Sequence, residues 1–107
     1  MKSAITTRKK RKTEEIIASI LEAARHGATK TRIMYVSFLS FSLLEKYINY
    51  TLENGLIGLE SEDKKYLTTH KGFEFLKRLE EVHGIENNIM EKKRSLYEIL
   101  ENNDEKI

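Results

Sequence analysis

The feature that most limits the fold of this chain is an uninterrupted helical pattern at its C-terminal end. The pattern begins after a capping threonine, Thr68 or Thr69, and meets no strong stop signal before Asn102-Asn103. A helix of about 34 residues is about 50 Å long at about 1.5 Å per residue. The whole chain has 107 residues, enough for one small domain. Part of this helix is therefore expected to project from the domain that the remaining residues form.

Apolar residues recur at every seventh position of this segment, as in a coiled coil. Its companion register, four residues further on, is apolar at both ends and charged at Glu86 and Lys93 in the middle. Nothing else in the chain remains to cover this stripe, which favours a homodimer over a single amphipathic helix lying on its own domain. The predicted dimer interface comprises Phe75, Leu79, Val82, Ile85, Glu86, Ile89, Lys93, Leu96 and Leu100.

The two charged positions predict the orientation of the dimer. In a parallel coiled coil Glu86 faces its own copy, as does Lys93, and like charges repel. In an antiparallel coiled coil centred between Ile89 and Met90, Glu86 meets Lys93 of the partner subunit twice and the apolar ends pair. We therefore predict an antiparallel coiled-coil homodimer.

Three shorter helices and a hairpin are predicted ahead of the long helix. The first starts at an N-cap, Thr13, with acidic residues in its first turn, and ends at His26-Gly27. The second begins at Thr29 or Thr31 and runs through Val36, followed by a turn over residues 37–40. The third begins at Ser40 or Ser42, where Ser42 and Glu45 read as a capping box, and it ends at Asn54-Gly55. Its inward residues are predicted to be Phe41, Leu44, Tyr47, Ile48 and Leu52.

Two short apolar runs, residues 56–59 and 65–68, flank a polar turn and read as a β-hairpin. Three helices followed by a hairpin is the order of a winged helix-turn-helix, whose third helix enters the major groove of DNA. The fold prediction is thus mainly α (α+β). The predicted parts are a basic arm over 1–12, a winged helix-turn-helix domain over 13–70, the long coiled-coil helix over 71–103 and a tail over 104–107.

Charge is distributed unevenly along the chain. Residues 1–12 hold six basic groups and no acid, although the net charge of the whole chain is only +2. A basic arm on a body of slightly negative charge favours a polyanionic partner, and nucleic acid before a membrane. The alternative is a tail that only keeps the protein in solution.

The predicted DNA contacts come from four places. Serine, lysine and asparagine reach base edges or phosphates, tyrosine contacts phosphate, and a helix N-terminus holds phosphate. Glutamates at 45 and 53 and the acidic hairpin tip at 62 and 63 oppose DNA binding. The predicted DNA-binding residues are Arg8, Lys9, Lys10, Arg11 and Lys12 in the arm, Lys30 and Arg32 in the second helix, Ser42, Lys46, Asn49 and Tyr50 in the third, and Lys64 and Lys65 in the hairpin.

Catalytic and metal-binding patterns do not emerge from the sequence. Cysteine is absent, and the three histidines, at 26, 70 and 83, lack the spacing of metal ligands. No nucleophile and base, phosphate-binding glycine loop or HExxH motif occurs. We expect no cofactor, no metal, no small-molecule ligand and no enzyme activity. No apolar run approaches a membrane span, and we expect a cytoplasmic, chromosome-associated protein.

Four stretches of the chain form a recognisable set: Lys30-Thr31-Arg32-Ile33-Met34-Tyr35, Leu39-Ser40, Tyr47-Ile48 and Leu67-Thr68-Thr69-His70-Lys71-Gly72. Together they resemble the archaeal 10a family of small DNA-binding chromatin proteins known from Sulfolobus. The resemblance runs from about Lys9 to Leu100. It implies a winged-helix domain, an antiparallel coiled-coil homodimer, and binding of double-stranded DNA with little sequence preference. By position it places the DNA face on Lys30, Arg32, the third helix and the hairpin.

Three functions remain open at this point. The first is a sequence-tolerant DNA-binding homodimer that organises chromosomal DNA. The second is a site-specific transcription regulator, for which specific affinity exceeds random-sequence affinity about 10³-fold or more. The third is a protein-interaction adaptor, for which loss of residues 1–12 and neutralisation of Lys30, Arg32 and Lys46 leave function intact.

The antiparallel orientation is tested by the substitution Lys93→Cys in a chain that has no cysteine of its own. The two copies of residue 93 should lie about 10 Å apart along the helix axis, too far for a disulfide, which needs Cα atoms within about 7 Å. We expect little crosslinked dimer on a non-reducing gel after oxidation. Efficient crosslinking in the folded dimer would contradict the antiparallel orientation.

Overall fold

The structure, a computed structural model, describes residues 11–101. Its elements are α1 (Thr13–Ala23), α2 (Lys30–Ser37), α3 (Phe41–Glu53), β1 (Ile57–Glu60), β2 (Lys65–Thr68) and α4 (His70–Glu101). The predicted order of three helices, a hairpin and a long helix is confirmed, and so is the mainly α fold with one small sheet. The chain divides into two units, with the boundary between Leu76 and Lys77.

The core of the first unit is built from one apolar face of each short helix and from the hairpin. Residues spaced three and four apart share a helix face, which explains why these positions converge. Burying one isoleucine or leucine contributes about 1.5–3 kcal/mol, so this cluster is the main source of the unit's stability. Its most buried members are Ile17, Ile20, Leu21, Ala24, Ala28, Ile33, Leu44, Ile48 and Ile57.

Helix α1 ends at Ala23, three residues before the His26-Gly27 end that the sequence predicts. The cause is tertiary hydrogen bonding. Thr68 of β2 donates its hydroxyl to the Leu21 carbonyl at 2.6 Å and its N–H to the Ala24 carbonyl at 3.1 Å. These carbonyls therefore have partners without a further helical turn. Gly27 then takes φ +95°, as a helix-ending glycine does.

The chain after Gly27 joins the hairpin directly. Ala28 and Tyr66 exchange two backbone hydrogen bonds, of 3.0 and 2.8 Å. The strands β1 and β2 are antiparallel, with Ile57 opposite Thr68 and Glu60 opposite Lys65. The first strand thus begins one residue later than predicted, since Leu56 is held by a hydrogen bond to the Thr51 carbonyl at the end of α3.

The helix starts are set by side-chain caps. Thr29 caps α2 by accepting from the Arg32 N–H at 3.2 Å, and Ser40 caps α3 by accepting from the Leu43 N–H at 3.3 Å. Each was one of two predicted alternatives. The Ser42–Glu45 capping box is wrong, because Ser40 already fills the N-cap and Glu45 has another partner. Lys12, one residue before the predicted Thr13, is the N-cap position of α1.

Phe41 corrects another prediction. Its spacing places it on the apolar stripe of α3, yet 64% of its surface is exposed. The stripe that is actually buried in α3 consists of Leu44, Tyr47, Ile48 and Thr51. Phe41 is the first residue of the helix, one turn before Leu44, where the core has ended.

The start of α4 packs very closely against the hairpin. The Thr69 hydroxyl accepts from the Gly72 N–H at 3.0 Å and donates to the Gly55 carbonyl at 2.6 Å. Gly72 is buried, and a Cβ there would lie 2.6 Å from the Thr68 methyl group and closer still to the Leu56 carbonyl oxygen. Only glycine fits this contact without displacing the backbone.

The second unit, as far as residue 101, consists of the remainder of α4. The helix has 32 residues and continues without a break through Gly84. Among residues 11–101, no helix has the length and apolar character needed to cross a membrane.

The close contact at Gly72 predicts that Gly72→Ala lowers the free energy of unfolding by about 1–3 kcal/mol, the usual cost of overpacking. Urea denaturation measures the change. The matched control is Gly84→Ala in the same helix, where nothing lies within 4 Å of an added Cβ. This control should be neutral or stabilising by up to about 1 kcal/mol. Equal stability of the two variants would contradict the close contact.

Candidate nucleic-acid interface

The outward face of α3 carries the residues that the sequence predicts there. The buried stripe of α3 faces the core, so the opposite side of the helix is left to solvent. Tyr50 is 46% exposed and Leu43 40% exposed. The exposed residues of this face are Ser42, Leu43, Lys46, Asn49, Tyr50 and Glu53. Four of the predicted DNA-binding residues are thus brought together on one helix face.

A groove runs along the C-terminal part of this face. Thr13, the first residue of α1, lines it together with residues of α3. The N-terminus of α1 therefore lies beside the face, and the basic arm joins the domain at that point. The lining residues from α3 are Lys46, Tyr47, Asn49, Tyr50 and Glu53. The sequence offered no signal for this proximity, because it depends on how α1 and α3 pack.

Arg11 has a protein partner, which the sequence prediction of a DNA contact did not include. Its Nη2 donates to the Ser37 carbonyl at 2.8 Å, at the C-terminal end of α2. A cation there also interacts favourably with the helix dipole. Lys12 is exposed, while its backbone N–H donates to Glu15 Oε1 at 3.4 Å. The predicted contacts Arg8, Lys9 and Lys10 lie outside the described residues.

Lys30 and Glu45 form an ion pair between α2 and α3. The Lys30 Nζ lies 2.7 Å from the Glu45 carboxylate, and both side chains are a little over one-third exposed. The hydrogen bond to Glu45 raises the pKa of Lys30, so the lysine stays charged at any physiological pH. The pair balances the carboxylate that the sequence analysis expected to oppose DNA binding.

The other predicted contacts are exposed but less concentrated. Arg32 is exposed on α2, and Lys64 and Lys65 are exposed on the hairpin. Glu62 and Asp63 share the hairpin tip with Lys64, which adopts a left-handed backbone with φ +54°. The tip therefore carries both signs of charge, as the sequence indicates.

Sequence reasoning missed a group of exposed rings at the turn between α2 and α3. We call Tyr35, Phe38 and Phe41 the aromatic face; their exposed fractions are 81%, 88% and 64%. The sequence analysis placed Phe38 only in a turn and Phe41 in the core. The one unusual feature of this stretch in the sequence is that it has no acidic residue between Glu22 and Glu45, which marks it as a possible site for an anionic partner but does not identify the rings as exposed.

The predicted dimer residues of α4 fall into two groups. Phe75 packs partly buried against the core of the first unit, and Leu79 is half-buried. Val82, Ile85, Ile89, Leu96 and Leu100 are between 46% and 72% exposed. Glu86 and Lys93 are exposed as well. The single chain therefore leaves a row of large apolar side chains uncovered.

The described part of the chain holds no group of three or more histidine, cysteine, aspartate or glutamate residues placed to hold a metal ion. The interface thus offers basic, amide, hydroxyl and aromatic groups. Groups of these kinds can contact phosphates and bases through hydrogen bonds, charge and stacking.

Comparison with known proteins gives the family. The model of a winged helix-turn-helix family matches residues 10–87. The crystal structure of Sso10a-2, a DNA-binding protein from Sulfolobus solfataricus, is similar, with a TM-score of 0.74 and 28% identity over 87% of this chain and 100% of that chain. No curated protein matches the chain. The chain belongs to the winged helix-turn-helix family, and the match to Sso10a-2 supports its resemblance to the archaeal 10a type.

Proposed function

We propose that this protein is a homodimer that binds double-stranded DNA with little sequence preference and organises chromosomal DNA. It acts by binding and not by catalysis, and its place in the cell is the chromosome. The observation that carries the proposal is the groove in which Thr13, the residue that follows the basic arm, lies beside Lys46, Asn49 and Tyr50 of the α3 face. Similarity to Sso10a-2, itself a DNA-binding protein, supports the same partner.

The α3 face suits the major groove of duplex DNA, which admits one α-helix. Lys46 and Tyr50 contact phosphates, while Ser42 and Asn49 reach base edges. Thr13, the residue that follows the arm, lies beside this helix, and in this proposal the basic groups of the arm contact phosphates of the flanking DNA backbone. Lys30, Arg32, Lys64 and Lys65 supply the outer phosphate contacts.

Weak sequence preference follows from how these contacts divide. Contacts to phosphate carry no sequence information. In this proposal the basic residues of the surface contact phosphates. Asn49 is the residue best suited to read a base, through its amide and adenine. A single base contact by Asn49 distinguishes DNA sequences only weakly, compared with the sequence-independent attraction between the arm and the phosphates.

The exposed row of apolar side chains on α4 supports the proposed dimer. Each large apolar side chain that a partner helix covers contributes about 1.5–3 kcal/mol. Ile89 lies in the middle of this row, between Glu86 and Lys93. In the antiparallel arrangement these two charges attract across the seam. A dimer carries two winged domains, so it holds two DNA sites and is able to bridge or coat duplexes.

A site-specific regulator is the second candidate, and the exposure of Asn49 in the middle of α3 favours it. A two-fold dimer then binds a pseudo-palindromic operator. The measured ratio of specific to random affinity separates the two candidates.

The function is tested by titrating the full chain against random duplex DNA at several salt concentrations, with genomic fragments as competitors. We expect steeply salt-dependent binding and no preferred fragment. Lys46→Ala and a variant lacking residues 1–10 should each bind more weakly, with the salt slope reduced by about 0.9 for each phosphate that the variant no longer neutralises. The truncation keeps Arg11 and Lys12, because both make contacts within the domain.

The matched control for Lys46→Ala is Lys92→Ala, which removes an exposed lysine of α4 outside the proposed interface. It should leave the salt slope unchanged. One strongly preferred genomic fragment would favour the regulator. An absence of binding at low salt would contradict both candidates and leave the adaptor.

The dimer seam is tested by Ile89→Asp, which should yield monomers in light scattering coupled to size-exclusion chromatography, because a buried unpaired carboxylate is costly. The control is Asn88→Asp, which adds the same charge at the neighbouring position, away from the seam. It should remain dimeric. A dimeric Ile89→Asp variant would refute the seam.

A further inference from the structure

The aromatic face is unusual for a single folded chain. Exposed apolar residues are ordinary when they occur singly. Here three rings within seven residues are each more than 60% exposed, and Val36 beside them is 43% exposed. Tyr35, Val36 and Phe38 line one open hollow. A patch of this kind marks a binding surface.

Neither the backbone nor the core accounts for phenylalanine at position 38. Phe38 ends α2 in the left-handed conformation, with φ 56° and ψ 45°. Glycine adopts this conformation without the steric cost that a Cβ brings, about 1–2 kcal/mol. The ring, at 88% exposed, returns little packing within the chain. A residue that costs backbone strain and packs little within residues 11–101 is typical of a binding surface.

The charge around the aromatic face indicates what that molecule is. No acidic residue occurs in residues 23–44, and Glu45 is already paired with Lys30. Arg32 lies one helical turn before Tyr35, on the same side of α2. Arg11 is anchored on the Ser37 carbonyl, next to Phe38. The ligand is therefore anionic and has flat apolar surfaces.

We propose that the aromatic face binds single-stranded DNA. Unpaired bases stack on Tyr35, Phe38 and Phe41, and the guanidinium groups of Arg11 and Arg32 contact the phosphates. Aromatic rings beside cations are the general means of holding single strands without sequence preference. Only one of the five N–H groups of Arg11 is used by Ser37, so donors remain for a phosphate.

This activity is separate from the duplex binding proposed above. In a duplex the flat faces of the bases stack on each other and are closed to protein rings. A second copy of the chain is a poorer occupant, since two aromatic faces meeting each other bring Arg11 and Arg32 close to their own copies. Single-stranded DNA supplies both the flat rings and the negative charge, and a comparison with oligouridylate distinguishes it from RNA.

The test measures fluorescence anisotropy of a labelled oligothymidylate of about twenty nucleotides, long enough for the site sizes of such surfaces. The variant is Phe38→Gly in the full chain. Its melting temperature should equal or exceed that of the parent, because glycine suits the backbone there. Its affinity for the single strand should fall about five-fold or more, the loss of one stacked base.

Duplex DNA of random sequence is the second probe, and Lys46→Ala is the matched variant. We expect Phe38→Gly to weaken single-strand binding and spare duplex binding, and Lys46→Ala to do the reverse. The triple variant Tyr35→Ala, Phe38→Gly, Phe41→Ala should weaken single-strand binding further. The two probes also separate failure of this proposal from failure of the proposed duplex function.

Four results would overturn the proposal. Unchanged oligothymidylate binding by the triple variant would exclude stacking on these rings. Equal losses on both probes would make the aromatic face part of the duplex interface. Sedimentation of Phe38→Gly measures its self-association. If self-association is lost while single-strand binding is kept, the aromatic face serves contacts between copies of the chain. Oligouridylate bound far more tightly than oligothymidylate would assign it to RNA.

Discussion

The attachment of the hairpin to α1 is the interaction on which the rest of the first unit depends. Thr68 donates two hydrogen bonds at the end of α1, from its hydroxyl to the Leu21 carbonyl and from its N–H to the Ala24 carbonyl. The Ala28–Tyr66 pair adds a second contact, four residues after Ala24 and two residues before Thr68. With the hairpin held there, Gly72 lets the first turn of α4 approach the Leu56 carbonyl. Helices, hairpin and the start of α4 thereby enclose one core, and α3 keeps one face for solvent.

Electrostatic pairing then decides which charges of this surface remain available. Glu45 is balanced by Lys30, and Arg11 is fixed on Ser37. Both pairs join α2 to a neighbouring segment, so they orient the helix-turn-helix as well as adjust its charge. An ion pair as exposed as Lys30–Glu45 contributes at most about 1 kcal/mol to stability. Its larger effect is to balance the Glu45 carboxylate, which is next to Lys46 in the sequence. Glu53 lines the same groove as Lys46 and still opposes a phosphate there.

Much of the fold was predictable because local rules and burial agree. The spacing of Leu44, Tyr47 and Ile48 identifies a helix face, and Thr29, Ser40 and Thr69 cap helices where the pattern begins. The errors arise where tertiary contacts replace a local rule. The end of α1 depends on Thr68, which is 44 or more residues away in the chain. Phe41 fits the periodicity of α3, but periodicity does not show where the core stops.

The candidate site likewise has residues that the sequence identifies and features that only tertiary packing creates. Residue type and helix spacing identify Lys46, Asn49 and Tyr50, since a face opposite a buried stripe must be exposed. The groove that brings Thr13 beside them comes from packing, and so does the anchoring of Arg11. Phe38 shows the difference most clearly. A phenylalanine is expected in the core, yet this one has a left-handed backbone at the end of α2 and its ring is exposed. A residue that local backbone rules disfavour and that the core does not bury is the kind of position at which natural proteins give up stability for a function.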